Sequence, residues 1–161
     1  MSNTAKQPHI FQINCSDGGV PKGPVREGQV TSLGLEGDRH NDTVHHGGPE
    51  RALCLYALER IVDLQAEGHP IYPGSTGENV TLVGLDWAQV VPGTRLRLGD
   101  EVRVEITLYT TPCQKIAVSF AGGQIQRMSQ DEHAGWSRVY ARVLSRGTIR
   151  VGDAVRVERN A

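Results

Sequence analysis

The sequence predicts an all-β fold that carries only a few short helices. Short segments of alternating or β-branched residues recur along the chain, and most of them end at Gly, Pro or Asp. The 19 glycines and the aromatic content of only 5% indicate a chain that turns often. Two segments, "RLRLGDEVRVE" and "TIRVGDAVRVE", place Gly-Asp between alternating strands, which predicts two β-hairpins with tight two-residue turns.

The predicted strands follow one another over most of the chain. In order, they lie in "HIFQINC", "QVTSLGL", "ALCLY", "ENVTLVG", "TRLRL", "EVRVEITLY", "RVYARVL" and "AVRVER". No low-complexity linker divides them, so we expect one domain over residues 1–161, with its core at about 18–158. The expected architecture is a β-barrel decorated with a few helices.

Helical periodicity is confined to short stretches. In "LERIVDLQAEGHP" the positions at helical spacing are Leu58, Ile61, Val62 and Gln65. Gly68 and Pro70 then predict the end of this helix. The segment "QIQRMSQDEHAG" predicts another short helix, whereas "KIAVSF" is too short to assign from its pattern.

Composition argues against several classes of partner. The formal net charge of -1, with 22% charged residues, gives no electrostatic basis for binding nucleic acid or an anionic membrane. No apolar run is long enough to span a bilayer, and the start "MSNTAKQPH" lacks the apolar stretch of a secretory signal. We therefore expect a cytoplasmic protein, in which thiols stay reduced.

The three cysteines must be considered one at a time. Cys15, Cys54 and Cys113 are far apart and form no C-x-x-C pair, so neither a disulfide framework nor a cysteine-based zinc site is predicted. Cys15 and Cys54 lie inside strand-like apolar segments, which favours packing over chemistry.

Cys113 differs because it directly follows a proline at the end of a predicted strand. A thiol acts as a nucleophile or sulfur carrier only as the thiolate, which needs a nearby cation or a helix N-terminus, and access to solvent. In "TPCQKI", Pro112 breaks the strand and Lys115 supplies a cation two positions on. The alternative is that Cys113 is a buried, inert, small hydrophobic residue.

A second candidate site is the loop "GDRHNDTVHHGGPERA", residues 37–52. It concentrates seven polar residues that could bind a ligand, namely Asp38, Arg39, His40, Asp42, His45, His46 and Arg51. A zinc or iron site is weakly indicated, because adjacent histidines point apart in extended chain and the spacing matches no standard ligand pattern. A hydrolase with a metal on His40–His46 and a solvated loop both remain open as alternatives.

Two further loops and one arginine complete the candidates. In "YPGSTGENV", Gly74 and Gly77 permit close backbone approach, and Glu78 and Asn79 begin the next strand. The loop "GGVPKGPV" presents Lys22 but does not match a phosphate loop. Arg138 opens a late strand, where it is either one half of a surface ion pair or, if it faces a pocket, a ligand for an oxyanion or phosphate.

Taken together, these segments resemble the MOSC family, named for the C-terminal domain of molybdenum cofactor sulfurase. The resemblance runs in order through "GGVPK", "GDRH…VHHGGPERAL", "YPGSTGENV", "GLD…V.PG", "LRLGD", "TPCQKI", "GW..RV" and "GTIRVGDAV". Each motif is weak alone, but their order and spacing are jointly specific. The chain is most similar to the stand-alone bacterial type.

The resemblance implies a MOSC-type β-barrel with Cys113 at the mouth of a pocket. In this family the cysteine is associated with sulfur transfer as a persulfide, and in some members with binding of molybdenum. Carried over to this sequence, the residues implied near the cofactor are Lys22, Asp38, Arg39, His46, Gly47, Gly48, Glu78, Asn79 and Arg138. The implied cofactor is the molybdenum cofactor, and pyridoxal phosphate would belong to a partner rather than to this chain.

The resemblance also implies partners and leaves alternative functions open. A cysteine desulfurase would donate sulfur, and a molybdoenzyme or a small N-hydroxylated compound would be the target. A reductase of N-hydroxylated compounds and a non-catalytic barrel that binds a pterin or a partner protein remain alternatives. Members that bind the cofactor often bring an additional N-terminal domain, so we expect a homodimer or another protein to complete the pocket.

Overall fold

The computed structural model describes residues 7–38 and 48–158, and β-strands dominate them. The strands within these ranges are β1 (His9–Cys15), β2 (Gly23–Val25), β3 (Glu27–Thr31), β4 (Gly34–Leu35), β5 (Leu53–Ala57), β6 (Val80–Val83), β7 (Arg95–Leu98), β8 (Val102–Tyr109), β9 (Val139–Ser145), β10 (Gly147–Arg150) and β11 (Val155–Glu158). The helical elements there are α1 (Leu58–Ala66) and the 3₁₀ segments Pro49–Arg51, Trp87–Gln89, Gln114–Ser119, Ala121–Gly123 and Ile125–Met128. The predicted β-rich class with a few short helices is confirmed.

The described strands form two sheets. The larger has the order β11-β7-β8-β9-β5-β6-β1-β2, and the smaller has the order β10-β3-β4. Every described ladder is antiparallel except that between β5 and β6. Parallel neighbours need a crossover connection, and α1 lies in the segment that makes it.

One row of apolar side chains runs across the centre of the large sheet. The row pairs Ile13 with Val80, Val80 with Leu55, and Leu55 with Val139, so it crosses β1, β6, β5 and β9. All four side chains are fully buried. Because side chains alternate between faces along a strand, the sequence neighbours of this row must point to the opposite face.

The helix α1 is confirmed, but its buried positions differ from the predicted stripe. Ile61 and Leu64 are buried, whereas Val62 and Gln65 are exposed. The helix ends at Ala66, before Gly68, as predicted. The segment "QIQRMSQDEHAG" forms only a 3₁₀ turn at Ile125–Met128, which is shorter than an α-helical interpretation implies.

The first predicted hairpin is confirmed, and the second is wrong. β7 pairs with β8 up to Leu98–Val102, although three residues rather than two separate the strands. At the second Gly-Asp, the Asp153 amide donates to the Arg150 carbonyl at 3.0 Å, so a turn forms. The flanking strands then diverge, because β10 pairs with β3 whereas β11 pairs with β7. Alternation specifies which face is buried but not which strand is the partner.

The predicted barrel is not confirmed. Among the described residues, no ladder joins the two ends of the large sheet, so the sheet is not closed. A single isolated bridge, His9–Ala154, brings the beginning of β1 to the segment before β11. No helix within 7–38 and 48–158 is long and apolar enough to cross a membrane.

Candidate functional site

The face of the large sheet opposite the apolar row carries a cluster of buried side chains, most of them polar. Of the eight sequence neighbours of the row, Gln12 is partly exposed, and the other seven are Asn14, Cys54, Tyr56, Asn79, Thr81, Arg138 and Tyr140. All seven are buried. We call these residues, together with Lys22, Asp38, Thr76, Glu78 and Thr110, the polar cluster. Buried polar groups must find partners, so their contacts determine what this surface can do.

Asp38 connects three loops that are distant in sequence. Its Oδ2 accepts hydrogen bonds from Lys22 Nζ at 2.5 Å and from Asn79 Nδ2 at 2.8 Å. Its Oδ1 accepts one from the Ser16 amide at 3.0 Å. The side chains of Lys22 and Asp38 are only 7% and 1% exposed. Loss of either partner would leave a buried charge, which typically costs about 3–5 kcal/mol.

Two asparagines fix the backbone around this ion pair. Asn79 Oδ1 accepts the Cys54 amide at 2.9 Å, so one side chain bonds both to Asp38 and to β5. Asn14 Nδ2 donates to the Glu78 carbonyl and to Thr81 Oγ1, each at 3.1 Å. The loop that carries Glu78 and Asn79 is therefore held against both neighbouring strands.

Glu78 places a carboxyl group in the interior of the cluster. It is fully buried, and its oxygens accept hydrogen bonds from Thr76 Oγ1 at 3.2 Å and Thr81 Oγ1 at 3.1 Å. Burial raises the pKa of this carboxyl above its ordinary value, while the Gly74 amide and the charge of Arg138 act in the opposite direction.

Arg138 is a buried cation with one hydrogen-bond donor atom that has no described partner. It is 5% exposed, and its Nη1 donates to the Thr76 carbonyl. Its Nε is buried and meets no partner in the described part of the chain. A buried N–H group without a partner is rare, so this guanidinium is the group on this face best suited to bind an anion.

Cys113 lies four residues after the end of β8 and directly before the 3₁₀ segment Gln114–Ser119. It is partly exposed, and its carbonyl accepts the Ile116 amide at 3.2 Å in the first turn of the Gln114–Ser119 segment. Lys115 is exposed. Cys113 is therefore not a buried residue, and solvent can reach its side chain.

Tyr140 is a buried member of the polar cluster. Burial raises the pKa of the Tyr140 hydroxyl, and the charges of Cys54 and Cys113 raise it further, while Arg138 and Arg51 lower it. Thr110, three residues before Cys113, is bound to the backbone of Arg138, because its amide donates to the Arg138 carbonyl at 3.0 Å. The segment that leads to Cys113 therefore starts beside the polar cluster.

The other two cysteines pack, as predicted. Cys54 is buried, and its Sγ lies 3.7 Å from Thr110 Oγ1. Burial raises its thiol pKa, although the charge of Arg138 opposes the shift. Cys15 packs against the hydrophobic core, and burial followed by the charge of Asp38 raises its thiol pKa. Both thiols are therefore less readily ionised than a free cysteine.

The structure brings five predicted site residues into one cluster and leaves others undecided. The five are Lys22, Asp38, Glu78, Asn79 and Arg138. Six of the predicted residues lie outside the described residues, namely Arg39, His40, Asp42, His45, His46 and Gly47. Gly48 is exposed, and its carbonyl accepts the Arg51 amide at 3.0 Å. Within the described ranges, no group of three His, Cys, Asp or Glu residues is arranged to hold a metal ion.

Sequence reasoning missed several members of the cluster. Asn14 had a detectable signal, because it is a polar residue inside the otherwise apolar end of "HIFQINC". Tyr140 and Thr110 each adjoin a motif that was recognised, but nothing in their spacing marked them. Thr76 contributes chiefly through its backbone carbonyl, which no sequence pattern reveals.

The sequence is similar to proteins of one known family. The family model of the MOSC domain matches residues 42–156. YflK of Bacillus subtilis, an uncharacterized protein, is 32% identical over 136 residues, which are 83% of this chain and 60% of YflK. A protein named Reductase from Gibberella moniliformis is 32% identical over 130 residues, which are 78% of this chain and 22% of that protein. The chain thus spans less than two thirds of either relative.

A solved structure gives the same result for the fold. The crystal structure of YiiM from Geobacillus stearothermophilus matches with a TM-score of 0.74 and 26% sequence identity, covering 94% of this chain and 75% of that one. Since the family model covers more than half of the sequence and the motifs follow the family order, this chain belongs to the MOSC domain family.

Proposed function

We propose that the polar cluster binds an anionic cofactor of the molybdenum-cofactor type and that Cys113 supplies the reactive sulfur beside it. The observation that carries this proposal is the Arg138 guanidinium, which is 5% exposed and has a buried Nε without a described partner. Charge-assisted hydrogen bonds from a guanidinium to an oxyanion are strong and directional. The phosphate group of the molybdenum cofactor is such an oxyanion, so the donor set fits it.

The division of roles among the cations follows from their partners. Lys22 is neutralised by Asp38 at 2.5 Å, so its charge already has a counter-ion. Arg138 keeps an unused donor and is the cation that we assign to the anion. When bound, the cofactor would supply the redox chemistry of molybdenum. A thiolate is a soft ligand, so Cys113 suits molybdenum as well as sulfur transfer.

In the sulfur-carrier form of the proposal, the Cys113 thiolate attacks the outer sulfur of a persulfide on a donor such as a cysteine desulfurase. The new S–S bond forms as the donor's S–S bond breaks, and the donor leaves as a thiolate. The sulfur and its proton stay on Cys113, so no external oxidant or reductant is needed. Attack of a Cys54 thiolate on this persulfide would expel the outer sulfur as hydrosulfide and leave a Cys54–Cys113 disulfide. Burial raises the thiol pKa of Cys54, which disfavours that thiolate.

A reductase function is the second candidate. The similarity to the Gibberella protein named Reductase favours it, although this chain covers only 22% of that protein. In that form, Cys113 would ligate molybdenum, and a small N-hydroxylated compound would be the substrate. The remaining alternative is a non-catalytic module that binds a pterin or a partner protein.

The decisive experiment measures molybdenum and cyanolysable sulfur together on protein freshly purified from cells that make molybdenum cofactor. We expect wild-type protein to carry one of the two and Cys113→Ser to lose it, because serine offers neither a soft ligand nor a sulfur that forms persulfides. Cys15→Ser is the matched control, since it removes the other partly exposed thiol, and it should retain the wild-type content.

The outcomes separate the candidates. Molybdenum that depends on Cys113 supports the reductase form, and labile sulfur without molybdenum supports the carrier form. If wild type and Cys113→Ser carry equal amounts of both, or neither, Cys113 is not the reactive sulfur, and the non-catalytic module becomes the better explanation.

A further inference from the structure

The short segment from Gly135 to Arg138 is held by hydrogen bonds at every one of its carbonyl groups. Four consecutive carbonyls accept a bond from four different parts of the chain. The donors, in order along the segment, are Arg60 Nε at 2.9 Å, Tyr56 Oη at 2.6 Å, Trp87 Nε1 at 2.8 Å and the Thr110 amide at 3.0 Å. Three of these four donors are side chains. The position of this backbone segment therefore depends on the identity of those three residues as well as on strand pairing.

Trp136 in the middle of the segment is also fixed by its ring. The guanidinium carbons of Arg60 and Arg127 lie 4.4 and 4.0 Å from its centroid. Both distances are within the range of favourable cation–π contact. Arg127 is itself bound to both oxygens of Glu67, at 2.8 and 2.7 Å, which ties this contact to the end of α1.

This fixed segment ends at Arg138, the residue that we propose binds the anion. Arg138 follows Trp136 by two residues, and its Nη1 is directed to the Thr76 carbonyl. A long side chain usually loses considerable rotamer freedom on binding a ligand. A guanidinium whose backbone and Nη1 are already fixed avoids much of that loss, so its remaining donors are pre-organised for a ligand.

We propose that Tyr56, Arg60 and Trp87 are positioning residues that hold Arg138 in the orientation in which it meets an anion. Their hydrogen bonds to three successive carbonyls set the direction of the backbone from which the guanidinium extends. The anion-binding purpose rests on the proposed function, whereas the orientation of Arg138 can be measured without any ligand. None of the three residues needs to touch the anion itself.

Tyr56 gives the most specific test, because a single substitution removes its hydrogen bond and keeps its ring. It is fully buried, and burial raises its hydroxyl pKa, so the group stays a hydrogen-bond donor at neutral pH. Tyr56→Phe removes only that hydroxyl and keeps the ring that packs edge-on against Trp87 with centroids 6.0 Å apart. Trp87→Phe, which removes the donor to the Ser137 carbonyl, is the second variant if the first is poorly folded.

The experiment follows the Arg138 Nε–H group by NMR in the full-length protein. Its resonance is identified by its absence in Arg138→Lys, and its rigidity is measured by the ¹H–¹⁵N nuclear Overhauser effect without ligand. Inorganic phosphate is then titrated. Tyr72→Phe is the control, because it removes a hydroxyl from an exposed ring with no described hydrogen bond of its own.

We expect a rigid Arg138 Nε–H in wild type and in Tyr72→Phe, and a mobile one in Tyr56→Phe. Phosphate affinity should fall by roughly tenfold in Tyr56→Phe, the scale expected for one buried hydrogen bond. In an Arg138→Lys background the same substitution should change phosphate affinity little, since the positioned group is gone. A general loss of stability would not produce this dependence on Arg138.

The outcomes also distinguish the two proposals. An Arg138 Nε–H that stays as rigid in Tyr56→Phe and Trp87→Phe as in wild type overturns the positioning role, whatever phosphate does. If wild-type protein binds no phosphate, the anion-binding role of Arg138 fails, while a loss of rigidity in the variants still supports the positioning role.

Discussion

At the scale of single residues, the charge balance of the polar cluster depends on Glu78. Lys22 and Asp38 neutralise each other, whereas Arg138 has no comparably direct counter-ion among its described contacts. Burial raises the pKa of Glu78, which favours its neutral form. A protonated Glu78 would leave the positive charge of Arg138 available for an incoming anion.

The pH dependence of stability tests this view of Glu78. Its pKa is raised by folding, so its contribution is fully present below the unfolded value of about 4.3 and is lost as pH rises through the folded value. Glu78→Gln does not titrate. We therefore expect the free energy of unfolding of Glu78→Gln to improve relative to wild type as pH rises from about 4 towards 8.

Denaturant unfolding of both proteins across that pH range provides the measurement. Gln cannot accept the same set of hydrogen bonds, so we expect the free energies of unfolding of the two proteins to differ by a constant amount at every pH. The test is whether the difference between these two free energies changes with pH. A difference that stays constant from pH 4 to 8 would show that the carboxyl of Glu78 does not change its ionisation on folding.

At the scale of elements, Gly74 allows two loops to approach closely enough to form the site. Its φ of +88° lies in the left-handed region, and an added Cβ would collide with the Lys22 carbonyl and approach Asn14 Oδ1 at 3.2 Å. The Lys22 amide also donates to the Gly74 carbonyl at 2.9 Å. The loop carrying Lys22 therefore packs backbone against backbone on the loop carrying Glu78 and Asn79.

Gly74→Ala should destabilise the protein more than an alanine at another left-handed glycine. Gly93 is the matched control, because its φ is +95° and an added Cβ would meet nothing within 4 Å. The left-handed conformation costs about 1–2 kcal/mol in either variant. The collision at Gly74 adds roughly 1–3 kcal/mol of overpacking.

Thermal and denaturant unfolding of the two variants gives the comparison directly. Since the strain of positive φ is common to both, the difference between them isolates the close approach of the loops. Equal destabilisation would mean that the Lys22 loop shifts away at little cost, and the site would then be less rigid than the structure indicates.

At the scale of the whole molecule, the beginning of β1 contacts the segment that leads into β11, on the opposite side of the large sheet. The Ile10 amide donates to the Asp153 carbonyl at 2.9 Å, the Gly152 amide to Ile10 at 2.8 Å, and the Val155 amide to Pro8 at 2.8 Å. These bonds supplement the His9–Ala154 bridge without forming a ladder. They connect the first strand with the last one.

Hydrogen exchange will measure how firmly this contact holds. We expect the amides of Ile10 and Val155 to exchange as slowly as those of Asn14 and Asn79, which bond inside the site at 2.7 Å each. The reason is that Ile10 and Val155 are fully buried, so their opening would require much of the core to open. Exchange of Ile10 and Val155 that is faster by orders of magnitude would instead indicate a frayed sheet edge.

Much of the local structure could be predicted from the sequence, and so could the meeting of the loops that form the polar cluster. Alternation between Gly and Pro positions predicted the strands, and Pro112, three residues after β8, indicated that Cys113 would begin a new segment. The family motifs predicted that the loops of Lys22, Asp38 and Asn79 would meet, and the described contacts join them. These features depend on residues close together in sequence or on a motif order, both of which are visible in the chain itself.

Only the tertiary structure decided which strands pair and what holds Arg138. The two Gly-Asp segments look alike in sequence, yet one forms a hairpin and the other leads from the small sheet to the large one. Likewise, Tyr56 and Trp136 are 80 residues apart, and no pattern in either segment predicts the hydrogen bond between the Tyr56 hydroxyl and the Trp136 carbonyl. The physical reason is that local sequence determines which face of a strand is buried, whereas its partners are selected by packing of the whole chain.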